Sequence, residues 1–178
     1  DKDGICPKPF LNRVMGLAIN LLRSIPFIIL LIMVIPVTRV IVGKIIGPNA
    51  AVVPLVISAF PYISRMVESS LKEVDAGVIE AAKSMGASSW QIIVKVLLPE
   101  AKPSLLVGAA ISVTTILGYT AMAGAMGAGG LGDIAIRYGY HRYEADMMFV
   151  TVVLLVVIVQ IIQEVFTRMA RRSDKRVR

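Results

Sequence analysis

The chain has 178 residues and a net charge of +7, with 56% hydrophobic and 17% charged residues, where soluble domains hold about half and about a quarter. Its mean hydropathy is +0.76, and the charges collect in short blocks between long uncharged stretches. Such a chain cannot cover its apolar surface in water, so a soluble globule is excluded and a bilayer is implied. Single copies of cysteine (Cys6) and histidine (His141) leave no internal disulfide and no metal-ligand cluster, so no metal or cofactor is expected.

In chain order, the opening "DKDGICPKPF" is polar, lacks an initiator Met and is no signal peptide. The chain is therefore expected to be a fragment. Four apolar stretches follow. Ile25–Thr38, continued past Arg39 by Val40–Gly43, predicts a span over about 24–43; Pro48–Ser64 predicts one over 48–66. Pro103–Gly132 predicts a span over 103–126, and Met147–Gln163 one over 146–167. A crossing needs roughly 20 apolar residues for about 30 Å of hydrocarbon, and snorkelling flanks supply the shortfall. Buried core helices of a soluble protein would need more polar chain to wrap them. Pro26, Pro36, Pro54 and Pro61 bend the first two spans, either as plain kinks or to line a cavity.

The basic residues set the orientation. Lys2, Lys8, Arg13 and Arg23, the 65–102 segment (Arg65, Lys72, Lys83, Lys95, Lys102) and the tail (Arg168, Arg171, Arg172, Lys175, Arg176, Arg178) fall on one side. Only Arg39, Lys44, Arg137 and Arg142 fall on the other. Basic residues accumulate on the cytoplasmic side, so both ends and a loop over about 67–102 are expected there. Membrane topology and anionic lipids account for the +7 charge, with no nucleic-acid partner required.

That loop reads "VDAGVIEAAKSMGASSWQIIVKVLLPEAKP". Asp75 suits an N-cap for a helix to Met85, and Gly86 suits its stop. Ser88 and Gln91 form a capping-box pattern opening a second helix, which carries Ile92, Ile93, Val96 and Leu97 on one face and is expected to end at Pro99. A helix, a sharp turn and a helix make a docking knob.

Glu80-Ala81-Ala82, three residues, Gly86, nine residues and Val96-Leu97-Leu98-Pro99 resemble the EAA loop of ATP-binding-cassette importer permeases, E-A-A-x3-G-x9-I-x-L-P. The one departure is Val96 in place of Ile. The resemblance implies that the loop is the coupling helix, seated on a cytoplasmic ATPase through Glu80, Ala81, Ala82, Lys83, Ser84, Met85, Gly86, Ala87, Ser88 and Trp90. Over nearly all of residues 12–178, "LLRSIPFIILLIMVIPVTRVIVG", "AFPYISRMVESSL" and "GYTAMAGAMGAGGLGDIAIRYGY" closely resemble the methionine-importer permeases within that family. These have five spans, so a further span is expected before Asp1. The resemblance also implies a homodimer with two copies of the ATP-binding subunit and an extracytoplasmic substrate-binding protein.

Gly127, Gly129 and Gly132 fit G-x-G-x-x-G, but a dinucleotide turn must follow a strand and open a helix. Here the glycines follow about 24 helical residues, a rise of about 36 Å that carries them to the external face. Gly124, Gly127, Gly129, Gly130 and Gly132 are instead read as close-packing or turn residues. In the resembled family this helix lies by the dimer axis at the gate, which nominates Tyr119 and Met122 as pore-lining. The chain has no G-x-x-x-x-G-K-[ST], so a separate subunit must hydrolyse the ATP.

The sequence thus predicts an all-α polytopic membrane bundle with a cytoplasmic coupling loop: the permease of an ATP-driven importer for a small molecule, methionine by resemblance. A permease for another amino acid or a betaine-like solute is the alternative, since no transmembrane Lys or Asp marks a substrate group. A channel or scaffold without an ATPase is the distant one.

Overall fold

The structure, a computed structural model, describes residues 9–173. Lys2, Cys6, Lys8, Lys175, Arg176 and Arg178 lie outside the described residues. Every regular element among the described residues is helical.

Helix α1, Pro9–Ser24, occupies most of the segment before the first expected span, to which the sequence reading assigned no helix. It meets α2, Phe27–Met33, at an angle of 104°. Pro26 sets this corner, because it lacks an N–H and disfavours helical geometry at the residue before it. The first apolar helix therefore starts at Phe27 rather than residue 24. It breaks again at Val34 (φ −90°, ψ 4°), two residues before Pro36, and continues as α3, Ile35–Val42, to a left-handed Gly43.

Helix α4, Pro48–Lys72, continues unbroken through Pro54 and Pro61, both buried. It extends past the expected end at residue 66. Glu68 accepts from Arg65 at 2.7 Å and from Lys72 at 2.8 Å, one helical turn either way, which supports the two added turns. Helix α5 (Ala76–Ser84), α6 (Ser89–Gln91), a π-helical stretch Ile92–Leu97 and α7 (Leu98–Ala123) follow.

Pro99 does not end the helix, contrary to the sequence expectation. Residues from Ser89 to Ala123 form one continuous 35-residue helix. A proline forfeits one helical hydrogen bond and crowds the carbonyl a turn earlier. The wide Ile92–Leu97 turn, whose bonds reach five residues instead of four, takes up that mismatch just upstream.

Beyond Ala123 the chain leaves helical geometry at Met126 and Gly127. It then turns back as α8 (Leu131–Ile134) and a π-helical stretch, Ala135–Tyr140, before α9, Ala145–Ser173. The sequence reading expected a turn at Gly129, Gly130 and Gly132 and assigned no helix after it. The return stretch packs on the start of α9, where a Cβ on Gly139 would lie 2.7 Å from that of Met148.

Helix α7 is the central element, flanked by α4 and α9. Its buried positions Ala101, Gly108, Ala110 and Ser112 are all small, which lets neighbouring backbones approach closely in the absence of a hydrophobic drive between lipid-bathed helices. Met66 fills the space that a side chain on Gly108 would need. The Ser104 hydroxyl donates to that of Ser70 at 3.1 Å, satisfying a polar contact within the interface. Among the described residues three helices, α4, Ser89–Ala123 and α9, are long and apolar enough to cross a membrane, and the α1–α2 pair passes that test only if it is counted as one span despite its 104° bend.

Candidate functional site

The two ends of the bundle carry the candidate residues. At one end, α5 and the start of the long helix form the knob. The Asp75 carboxylate accepts the Gly77 N–H at 2.6 Å and caps α5. At the other terminus of α5, Gly86 N–H donates to Lys83 O at 2.9 Å and Ala87 N–H to Ala82 O at 3.1 Å. This paired closure needs a left-handed residue, which Gly86 supplies with φ 76°. Ser88 and Gln91 then cap each other's backbone N–H groups, at 2.9 and 3.3 Å, and restart the helix.

The turn is therefore fixed by hydrogen bonds on both sides of Gly86. Helix α5 packs back on Ile92–Leu97, where Ala82 and Ile92 are buried. Ala82 thus holds the knob together, and Ala87 is half-buried. Glu80, Ala81, Lys83, Ser84, Met85, Gly86, Ser88 and Trp90 are exposed. Met85 is 81% and Trp90 72% exposed, so the tip presents two large apolar side chains that the described residues leave largely uncovered. Trp and Met are enriched at the centres of protein interfaces. A valine at Gly86 would meet no neighbour within 4 Å, but its β-branched side chain resists positive φ. Gly86→Val is expected to cost about 1–2 kcal/mol of turn stability, leaving insertion intact while ATPase co-purification and uptake fall; wild-type values for both would refute the role of this turn.

At the other end lie the glycines. Gly127 (φ 85°), Gly129 (φ 80°) and Gly130 (φ 85°) are all left-handed and make the reversal that the sequence reading expected of a turn. Gly124 and Gly132 serve close approach. A Cβ on Gly132 would overlap the backbone of Ala121, and one on Gly124 would lie 2.5 Å from the Asp133 nitrogen. The stretch is thus clasped onto the end of its own helix α7. The α3–α4 loop joins it: Gly47 N–H donates to Gly127 O at 3.0 Å.

The pore nominees separate. Tyr119 stacks flat on Phe27 of α2, with centroids 4.6 Å apart and an interplanar angle of 5°, a pair worth about 0.5–1.5 kcal/mol beyond its burial. Met122, one turn on, is 49% exposed. Phe27 carries no distinguishing sequence signal, since it is one of a run of apolar residues around Pro26. Among the described residues no group of His, Cys, Asp or Glu could hold a metal ion.

An all-helical bundle with several membrane-length helices, an apolar-tipped knob at one end and a glycine-clasped reversal at the other defines a polytopic membrane protein. The chain belongs to the family of binding-protein-dependent transport system inner membrane components, whose profile matches residues 5–178. It is therefore a multi-pass inner-membrane protein. It is 53% identical over 175 residues to the probable D-methionine transport system permease protein MetI of Vibrio cholerae, covering 98% of this chain and 78% of that one. To the methionine import system permease protein MetP of Bacillus subtilis it is 48% identical over 165 residues, or 93% and 74% of the two chains. Its structure superposes on a chain of the inward-facing MetNI methionine ABC transporter with a TM-score of 0.95 and 49% identity, covering 98% of this chain and 81% of the other.

Proposed function

We propose that this chain is the permease subunit of an ATP-driven methionine importer. It works as a homodimer, with two copies of a separate ATPase on the cytoplasmic side and a substrate-binding protein on the other. The observation that carries the reading is the knob: a hydrogen-bonded turn whose exposed Met85 and Trp90 cap a helix that continues into the bundle. Substrate identity is supported by the methionine transport relatives.

The mechanism follows from that continuity. The 35 residues from Ser89 to Ala123 rise about 52 Å, so one rod links the tip to the glycine reversal. When the ATPases close, a push on Trp90 is delivered to Gly124–Gly132 without an intervening loop. The wide turn at Ile92–Leu97 is where the rod yields most readily. Tyr119 and Met122 sit on the last turns of the rod, where its movement would open or close the path for substrate.

The test is reconstitution with the ATPase and binding protein into liposomes. ATP-dependent accumulation of methionine is expected; transport of another amino acid without methionine would overturn the substrate assignment. Sidedness has its own test. In a Cys6→Ser background, Ser89→Cys should react with an impermeant thiol reagent only from the cytoplasmic side, and Arg142→Cys only from outside. The reverse pattern would overturn the orientation.

A further inference from the structure

We propose that α1 is a membrane-surface anchor, lying along the edge of the bundle at the headgroup level of an anionic leaflet. Four observations meet in it. First, the helix leaves α2 at 104°, so where α2 enters the bilayer α1 runs along its surface. Second, its height is fixed by a joint to α4: Arg65 donates to the Asn20 side chain at 3.0 Å and to Gly16 O at 3.4 Å. Arg65 lies seven residues before the end of α4 at Lys72, which puts α1 near the membrane boundary.

Third, the faces are sorted. Gly16 and Asn20 turn the polar arc of α1 toward α4, and Phe10, Val14, Leu17 and Leu21, spaced four, three and four apart, share a separate face about 110° round the helix from them. These four are 82%, 48%, 62% and 61% exposed. Such a stripe is an apolar face at helical period, left exposed by the described residues. Fourth, the charges of Pro9–Ser24 are Arg13 and Arg23, both exposed, with no acidic residue.

Apolar face, basic flanks and orientation along the surface are together the chemistry of an interfacial helix. The exposed side chains enter the acyl boundary and the guanidinium groups meet lipid phosphate, each basic residue near an anionic surface contributing about 1 kcal/mol. Arg65, held in turn by Glu68 at 2.7 Å, fastens this float to α4, whose C-terminal end leads into the knob. That the leaflet is the cytoplasmic one rests on the orientation proposed above; that α1 lies at headgroup depth does not.

The experiment is spin labelling of the full chain in nanodiscs, in a cysteine-free background, with single cysteines at Val14, Leu17 and, for comparison, Asn12. Labels at Val14 and Leu17 are expected to relax at least about threefold more with oxygen than with an aqueous nickel chelate, and the label at Asn12 to show the reverse, as for a helix lying in the interface. Adding phosphatidylglycerol to a phosphatidylcholine bilayer should deepen Leu17, and the Arg13→Glu, Arg23→Glu double variant should abolish that response. Nickel access at Leu17 would place the face in water. Shielding from both reagents would place it under protein, whether upstream chain or a second copy. Either result overturns the proposal, as does a depth indifferent to lipid charge. Reversed thiol labelling at Ser89 with normal depth at Leu17 would overturn only the leaflet.

Discussion

Gly132→Ala is expected to abolish uptake and to lower the thermal midpoint of the detergent-solubilised dimer, although it adds one methyl group. That methyl would overlap the backbone of Ala121, and neither helix α7 nor the reversal can yield without losing the clasp between them. Overpacking of this kind costs typically 1–3 kcal/mol and more where backbone must move. Gly124→Ala should behave alike, since its Cβ would lie 2.5 Å from a backbone nitrogen. Gly129→Ala has open space around it and strains only its own backbone, at φ 80° and ψ −168°, so it should be the milder change. Gly118→Ala, also in open space, should be neutral. Uptake and thermal unfolding of the four variants decide the matter: a silent Gly132→Ala, or a Gly129→Ala worse than it, would remove the clasp from the account.

The second large effect is expected at the opposite end. Met85→Glu combined with Trp90→Glu puts two charges where the knob now offers its most exposed apolar side chains. Buried aromatic anchors at protein interfaces commonly contribute 2 kcal/mol or more, a loss of roughly 30-fold or greater in affinity at 1.4 kcal/mol per tenfold. Co-purification with the ATPase should fail while insertion and dimer formation persist, because both side chains are mostly exposed. Retention of the ATPase at wild-type yield would show that the knob docks elsewhere or not at all. Trp90→Phe, which keeps the apolar surface, should restore most of the binding.

How much of this could be read in the sequence differs by element. The knob was legible nearly residue by residue, because its signals are local. Asp75 as a cap, Gly86 as a left-handed stop and Ser88 with Gln91 as reciprocal caps each act within four residues along the chain, and all have the geometry their spacing implies. The all-helical membrane class was equally legible, since it follows from apolar residues outnumbering what polar chain can cover. Pro99 was misread because its effect depends on its neighbours: the turn before it widens at Ile92–Leu97, which accommodates the proline, and that widening leaves no local mark.

The glycine stretch divides along the same line. That it was no nucleotide loop followed from the apolar helix before it, and that several of its glycines make a turn followed from residue type. That Gly132 lies against Ala121, eleven residues away and across a reversal, depends on where the chain returns. The same is true of Tyr119 on Phe27, of Gly108 beneath Met66 and of Arg65 on α1. Composition and short-range pattern determined the solvent, the helices and the knob, because burial preference and capping act over one helical turn. Which side chains meet, which glycine has no room and where α1 lies were decided only by the tertiary structure, because close packing joins residues whose separation in sequence carries no signal of their separation in space.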